Sequence, residues 1–296
     1  MDRFRINKAF AEIVAGFIPN KLTRNRWRGI LRYGLFRGMR LKRRLKKNQP
    51  QPQYYLAVCA IAKNEGAYFQ EWIEWHKNLG VEKFYIYDNE STDNTKEILE
   101  PYIKSGLVDY TFFPGNRQQI PAYDDCLEKH RLDAHWIAVI DLDEFINPIK
   151  DKTIPEFLNR FEDFSAVEIN WLVYGSGGAK EKEQGTVMER FKHHSSPEHE
   201  LNRKVKTIVN PRRVFNFVGC HEASQIFGKI ADSHGHSIVK TMNERPPQHD
   251  VIRINHYAVK SYEEFLQKRA RGRARSLNKR GLGYFEQFDL NDIKCS

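Results

Sequence analysis

The chain is predicted to be an α/β protein built on a mostly parallel, doubly wound sheet, and two observations predict it. Between residues 54 and 140 short apolar runs alternate with stretches of helical periodicity, the pattern of successive right-handed βαβ crossovers. The first, second and fourth of these runs also end in polar clusters, and open α/β sheets bind ligands beyond the C-terminal ends of their strands.

The elements follow in order. Tyr55 to Ala62 is a continuous apolar run and reads as a strand buried on both faces. Ala67 to Leu79 carries Phe69, Trp72, Ile73 and Leu79 at helical spacing. Phe84 to Tyr87 is a second strand, and Thr95 to Ile103 a second helix with Asp93 as its expected cap. Leu107 to Phe113 is a third strand, Gln119 to Arg131 a third helix, and Trp136 to Ile140 a fourth strand. Further strands are expected at Ala166 to Tyr174, Lys206 to Val209, Val214 to Val218 and Val251 to Ile254. A basic helix, Tyr262 to Arg275, comes last, and no internal repeat is present.

The fourth strand runs into Asp141-Leu142-Asp143-Glu144, ahead of a break expected at Asn147-Pro148. Strand alternation would point Asp141 and Asp143 to one side, so both carboxylates can face one ligand. Such a pair suits a hard divalent cation, which usually rides on substrate phosphates rather than in an all-protein cage. Removing Asp143 is then expected to leave the fold intact by relieving like-charge repulsion. The first strand ends in Lys63-Asn64-Glu65-Gly66 and the second in Asp88-Asn89-Glu90-Ser91-Thr92-Asp93. These residues serve equally as turn and cap chemistry or as contacts to a nucleotide spanning the sheet edge. Neither a Gly-x-Gly-x-x-Gly nor a Walker loop is present, which argues against dinucleotide hydride transfer and P-loop hydrolysis.

The formal charge of +10 is unevenly placed. Residues 1–53 hold 15 Lys/Arg against 2 Asp/Glu, so a basic arm and linker precede a near-neutral body, residues 54–296, large enough for one sizeable core. In the arm Phe10, Ile13, Val14, Phe17 and Ile18 repeat at helical spacing. Trp27, Ile30, Leu31, Leu35 and Phe36 do the same among arginines, followed by Arg40, Lys42, Arg43, Arg44, Lys46 and Lys47. Docking on its own domain, nucleic-acid binding and attachment to an anionic membrane surface all fit this pattern. The favoured expectation is peripheral membrane attachment on the cytoplasmic side, without nucleic acid. No run of 18 apolar residues and no signal-peptide core occurs, so neither an integral membrane protein nor an exported one is expected. Cys59, Cys126, Cys220 and Cys295 lack metal-site spacing and read as free thiols in a reducing compartment.

Together with Ala122-Tyr123-Asp124-Asp125-Cys126-Leu127, the three polar clusters resemble, in order and spacing, the nucleotide-sugar-binding half of family 2-type glycosyltransferases of the GT-A fold. The finer resemblance is to glycosyltransferase family 92. It rests on Glu71-Trp72-Ile73-Glu74-Trp75-His76, Phe84-Tyr85-Ile86-Tyr87-Asp88-Asn89, Gly185 to Phe191, and Ile254-Asn255-His256-Tyr257-x-x-Lys260-Ser261-x-Glu263-Glu264-Phe265. It covers about residues 54–275.

The resemblance implies that Asp88, with Lys63, Asn64 and Glu65, holds the base and ribose of a nucleoside diphosphate sugar. It places Asp124 near the nucleotide, where many relatives carry Asn, and Asp141 at the ribose or metal. Asp143 and His256 would bind Mn²⁺ or Mg²⁺, and Lys260 would neutralise the departing diphosphate. Glu189 and Glu222 are the candidates for the base that deprotonates the acceptor. Gly175-Ser176-Gly177-Gly178 would form a lid or acceptor loop, and His193, His194 and His199 a solvated loop. The implied reaction is inverting transfer of a hexosyl unit, from a UDP-sugar, to a glycan or lipid-linked glycan in cell-surface polysaccharide or glycolipid synthesis. Two rival classes stand beside it: a nucleic-acid-binding protein using the arm, and a metal-dependent phosphohydrolase using Asp141 and Asp143.

Overall fold

A computed structural model describes residues 3–47, 49–238, 240–272 and 280–295. Three helices open the chain: α1 (Arg3–Gly16), α2 (Lys21–Tyr33) and α3 (Leu35–Leu45). The body then alternates β1 (Tyr54–Ala62), α4 (Gly66–Asn78), β2 (Lys83–Asp88), α5 (Thr95–Lys104), β3 (Val108–Phe112), α6 (Gln119–His130) and β4 (Ala134–Val139). Strands β1 to β4 pair in parallel in the order β3-β2-β1-β4, with Ala62 opposite Asp88 and Val58 opposite Ala138. The chain thus winds outward from β1, then reverses to lay β4 on its other side. That reversal opens a crevice at the C-terminal ends of β1 and β4.

Burial explains why β1 reads as an unbroken apolar run. Leu56, Val58, Ala60 and Ala62 join one hydrophobic cluster, whereas Ala57, Cys59 and Ile61 join another on the opposite face. Helix α4 packs on the first face through Phe69, Trp72, Ile73 and His76. Helix α6 covers the second through Ala122, Tyr123, Cys126 and Leu127.

After β4 the sheet becomes mixed. The elements are β5 (Glu144–Pro148), α7 (Ile154–Leu158), β6 (Ala166–Val173), α8 (Val187–Arg190), β7 (His193–His194), β8 (Val205–Val209), β9 (Val214–Phe217), β10 (Ala223–Gln225), β11 (Ile230–Ala231), β12 (Ile252–His256), α9 (Tyr262–Arg271), α10 (Gly283–Phe288) and β13 (Ile293–Lys294). Strand β8 runs antiparallel between β4 and β6, β12 pairs in parallel with β6, and β5 closes the edge antiparallel to β12. The expected α/β class and mostly parallel sheet are therefore present.

Two expectations need correction. The break at Asn147-Pro148 is instead the end of β5, where Pro148 sits on an edge strand that needs no donor from it. The indoles of Trp72 and Trp75 donate to Glu144 O and Ile146 O, both at 2.9 Å, and lock that strand to α4. The cap position of α5 is Asn94 rather than Asp93. Asp93 does more: its carboxylate accepts from Thr95 N (3.1 Å) and from Gly66 N (3.0 Å), tying together the starts of α5 and α4. The Gly175 to Gly178 loop is held where Ser176 N donates to Asp289 (2.6 Å) and Gly177 N to Asn291 (2.7 Å). A Cβ at Gly175 would lie 2.5 Å from Leu290 O, so this close approach requires glycine.

Helices α2 and α3 lie against the body. Tyr33 packs on Phe215 with ring centroids 5.7 Å apart, Arg37 pairs with Glu128, and Lys42 sits 5.7 Å over the Phe227 ring. Apolar side chains stay exposed among the basic ones, which include Arg37, Arg40, Lys42, Arg43 and Arg44: Phe17 is 83% and Phe36 85% exposed, with Phe10, Ile13, Trp27 and Met39 also in solvent. Among the described residues no helix is long and apolar enough to cross a membrane. All four cysteines are free, and Cys59, Cys126 and Cys220 are buried.

Candidate active site

Asp141 and Asp143 do not lie on a strand. They sit in the tight turn between β4 and β5, closed by Glu144 N donating to Asp141 O at 3.0 Å. The turn, not strand alternation, brings both into one cavity of about 280 Å³ at the β1/β4 crevice. Lys63, Glu65, Asn89, Gln119, Trp171, His221 and His256 complete its inner wall, and Lys268, Arg271 and Arg280 its basic side.

The Asp141 carboxylate is held by three groups. Lys206 Nζ lies 2.9 Å from one oxygen, while Gln119 Nε2 (3.0 Å) and the Tyr123 hydroxyl (3.2 Å) donate to the other. Burial would raise its pKa, but the Lys206 ammonium reverses this and holds Asp141 below the usual carboxylate range. Glu144 lies 3.3 Å from the same ammonium yet is pushed up to about 8 by burial and its acidic neighbours. Lys206 thus bridges the two carboxylates and lies closer to Asp141.

Asp143 is almost fully buried and makes an ion pair with Lys268. Burial again opposes ionisation, and Lys268 with His256 outweighs it, leaving Asp143 well below its ordinary pKa. The price appears on the partner, since burial pushes Lys268 down to about 8. His256 Nε2 lies 3.7 Å from the same carboxylate, with the ring 4.0 Å from Trp171, centroid to centroid. Its Nδ1 is buried and has no hydrogen-bond partner among the described residues. The nitrogen facing Asp143 is Nε2, and a carboxylate beside an imidazole nitrogen is a donor set that fits Mn²⁺ better than Mg²⁺, which prefers oxygen ligands alone. In this structure the Lys268 ammonium supplies the positive charge beside Asp143.

The remaining sequence candidates divide. Lys63 and Glu65 line the cavity, Lys63 lying 3.9 Å from Glu90 and Glu65 pairing with Arg271. Asn64 faces away: its side-chain oxygen accepts from Thr92 N at 2.7 Å, and its φ of 51° is one that Asn tolerates. Asp88 lies outside the lining, accepting from Ser91 N (2.9 Å) and Tyr110 OH (2.5 Å) to shape the loop that presents Asn89. Asp124 accepts from Phe217 N at 2.8 Å and joins α6 to β9, while Gln119 and Tyr123 of that helix reach the site. Lys260 opens into a neighbouring cavity instead. Glu189 is exposed and closes a capping box with Thr186. Glu222 is half-buried, directly after the cavity residue His221. His194 is buried in β7 rather than solvated, and His199 caps a short turn by accepting from Leu201 N at 3.3 Å. Asp232, His234 and His236, mostly exposed, form a separate cluster outside the cavity.

Sequence reasoning missed Lys206, Lys268, Arg271 and Arg280. Lys268 and Arg271 did leave a signal. They stand three apart in a helix recognised as basic, and that spacing puts them on one face.

An α/β sheet carrying an acidic turn at its topological switch point, ringed by cations, defines a class of site suited to a nucleoside diphosphate and a divalent cation. The chain belongs to glycosyltransferase family 92, whose sequence model matches residues 54–290. A glycosyltransferase family 92 protein of Ricinus communis is 22% identical over 72% of this chain, which spans 37% of that protein. Beta-1,4-galactosyltransferase galt-1 of Caenorhabditis elegans is 27% identical over 73% of this chain, which spans 52% of it. Among solved structures, S. aureus TarS 1-349 in complex with UDP-GlcNAc is similar with a TM-score of 0.34 and 15% identity, covering 53% of this chain and 45% of that one.

Proposed function

We propose that the chain is a metal-dependent, inverting glycosyltransferase that moves a hexosyl unit from a UDP-sugar to a glycan hydroxyl. The observation that carries this reading is the cavity at the β1/β4 crevice, where Asp141, Asp143 and His256 face Lys268, Arg271 and Arg280. Acids for a metal and cations for a diphosphate around one cleft match a sugar nucleotide. The name of the Caenorhabditis elegans relative makes UDP-galactose the first donor to test.

In this reading Asp143 and His256 hold Mn²⁺ or Mg²⁺, with Asp141 at the ribose or the same ion. A cation held by these residues would supply screening of the diphosphate charge that develops as the bond between the anomeric carbon and the diphosphate oxygen breaks. Lys268 gives up Asp143 when the donor enters and, with Arg271 and Arg280, meets the leaving diphosphate. Lys63, Glu65 and Asn89 line the nucleotide side. Glu222, beside His221, takes the proton of the acceptor hydroxyl as its oxygen attacks the anomeric carbon. Glu222 directly follows His221, which lines the cavity, whereas Glu189 is exposed outside its lining, and this position favours Glu222 for the role. His221 stays neutral, since burial and Lys206 push it down to about 3, and its Nδ1 donates to Val205 O at 2.6 Å.

The basic helices α1 to α3, with Phe10, Phe17 and Phe36 outward, would hold the enzyme peripherally on an anionic membrane surface near a lipid-linked glycan acceptor. The test is incubation with UDP-galactose, other sugar nucleotides and Mn²⁺ or Mg²⁺. Slow release of UDP from one donor, abolished by EDTA, is expected. No hydrolysis or transfer with any donor would sink the reading.

A further inference from the structure

A second cavity, of about 380 Å³, adjoins the first and shares Lys268 and Arg271 with it. Lys260 is 3% exposed, and its ammonium makes no hydrogen bond or ion pair among the described residues. Its close contact is the Tyr68 ring, 4.2 Å from Nζ to centroid. The Lys182 ammonium approaches the same ring at 5.6 Å. The backbone at Lys260 has φ of 60°, a conformation that a lysine adopts only when its surroundings impose it.

The acids of this cavity are already engaged. Glu264 accepts from both terminal nitrogens of Arg190, each at 2.9 Å, from Tyr68 OH at 2.9 Å and from Ser261. Asp93 is engaged by Gly66 N and Thr95 N. Lys268 turns to Asp143 and Arg271 to Glu65. The buried Lys260 ammonium thus lacks a direct acid partner among the described residues, with Asp143, Glu65 and Glu264 acting on it only through space, while the exposed Lys182 approaches the same ring. Burying the Lys260 charge is costly unless a counter-ion completes it.

We propose that this second cavity binds an oxyanion, a phosphate or a carboxylate, carried by the acceptor, so that the acceptor is an acidic glycan. The assignment rests on the glycosyl-transfer reading and deepens it. The donor diphosphate faces Lys268, Arg271 and Arg280 from the first cavity, whereas an anion held between Lys260 and Lys182, which line only the second, anchors another molecule next to it. Lys260, assigned from the sequence to the leaving diphosphate, here belongs to acceptor recognition.

The test is calorimetry on the full chain saturated with UDP and Mg²⁺, titrated with inorganic phosphate, methyl β-glucuronide and the neutral methyl β-glucoside. One or both anions should bind and the neutral glycoside should not, the responding anion identifying phosphate or carboxylate as the acceptor's group. Lys260→Met and the exposed-site variant Lys182→Met should each weaken that binding about tenfold or more, the worth of one charge-assisted hydrogen bond. UDP affinity should stay unchanged in both. Equal responses to acid and neutral glycosides, or anion binding untouched in Lys182→Met, would overturn the inference. Loss of UDP affinity in Lys260→Met would return that lysine to the donor site. A wild-type chain that binds no UDP would remove the donor reading itself, and the acceptor assignment with it.

Discussion

Lys268 of α9 forms a direct ion pair with Asp143, 125 residues earlier in the chain, inside the cavity that this carboxylate helps to build. The same ammonium donates to Ala258 O at 2.7 Å, so it is fixed at two points. The sequence-based expectation that removing Asp143 would relieve repulsion therefore fails, because the carboxylate is the counter-ion of a buried cation.

Asp143→Ala should destabilise the chain by about 3 kcal/mol, the usual effect of orphaning one member of a buried pair. Replacing both partners, Asp143→Asn with Lys268→Met, should recover most of this loss while leaving transfer abolished. Urea denaturation of the single and double variants checks it, and a single variant as stable as the wild type would contradict the pairing.

His76 predicts a pH dependence. Its Nδ1 donates to Trp72 O at 2.8 Å and its Nε2 accepts from Ile146 N at 3.2 Å, so the neutral ring bridges α4 and β5. Burial pushes its pKa from 6.5 down to about 4. Between these values the unfolded chain binds the extra proton, so stability falls as the pH drops from 6.5 through 4, by about 3 kcal/mol in total. His76→Gln should lower stability at pH 7 yet flatten this slope. Denaturation series at pH 7, 5.5 and 4.5 measure the difference, and parallel slopes would refute it.

Glu222 and Glu189 separate kinetically. Glu222→Gln should lower kcat by about 10²-fold or more, with donor KM little changed. Glu189→Gln should keep kcat and lose only some thermal stability, because it caps α8. The reverse pattern would exchange their roles.

The arm is best tested without deleting it, since α2 and α3 pack on the body. Phe17→Asp with Phe36→Asp removes two exposed rings while leaving the Tyr33–Phe215 and Arg37–Glu128 contacts in place. This variant should lose co-sedimentation with anionic liposomes yet keep its melting temperature. The wild type should release partly in high salt, because each basic residue near the surface contributes only about 1 kcal/mol. Undiminished binding by the variant would count against membrane attachment.

The strands and helices of residues 54 to 140 were legible because hydrophobic periodicity is local: seven residues of β1 announce a strand covered on both faces. The Asp141-Asp143 turn was legible as a site, though for a mistaken geometric reason, since a one-turn reversal and a strand end look alike in four letters. β5 was hidden behind Asn147-Pro148, a turn signal that an unpaired sheet edge can absorb. What only the tertiary structure decided is the charge balance. Lys206 reaches Asp141 from 65 residues away, Lys268 reaches Asp143 from 125 and Phe217 N reaches Asp124 from 93, while Asp88 and Glu189 spend their carboxylates on backbone donors three residues away. Whether an acid caps a loop or faces a ligand depends on which donors the fold brings within 3 Å of it, and no local pattern in the sequence records that distance.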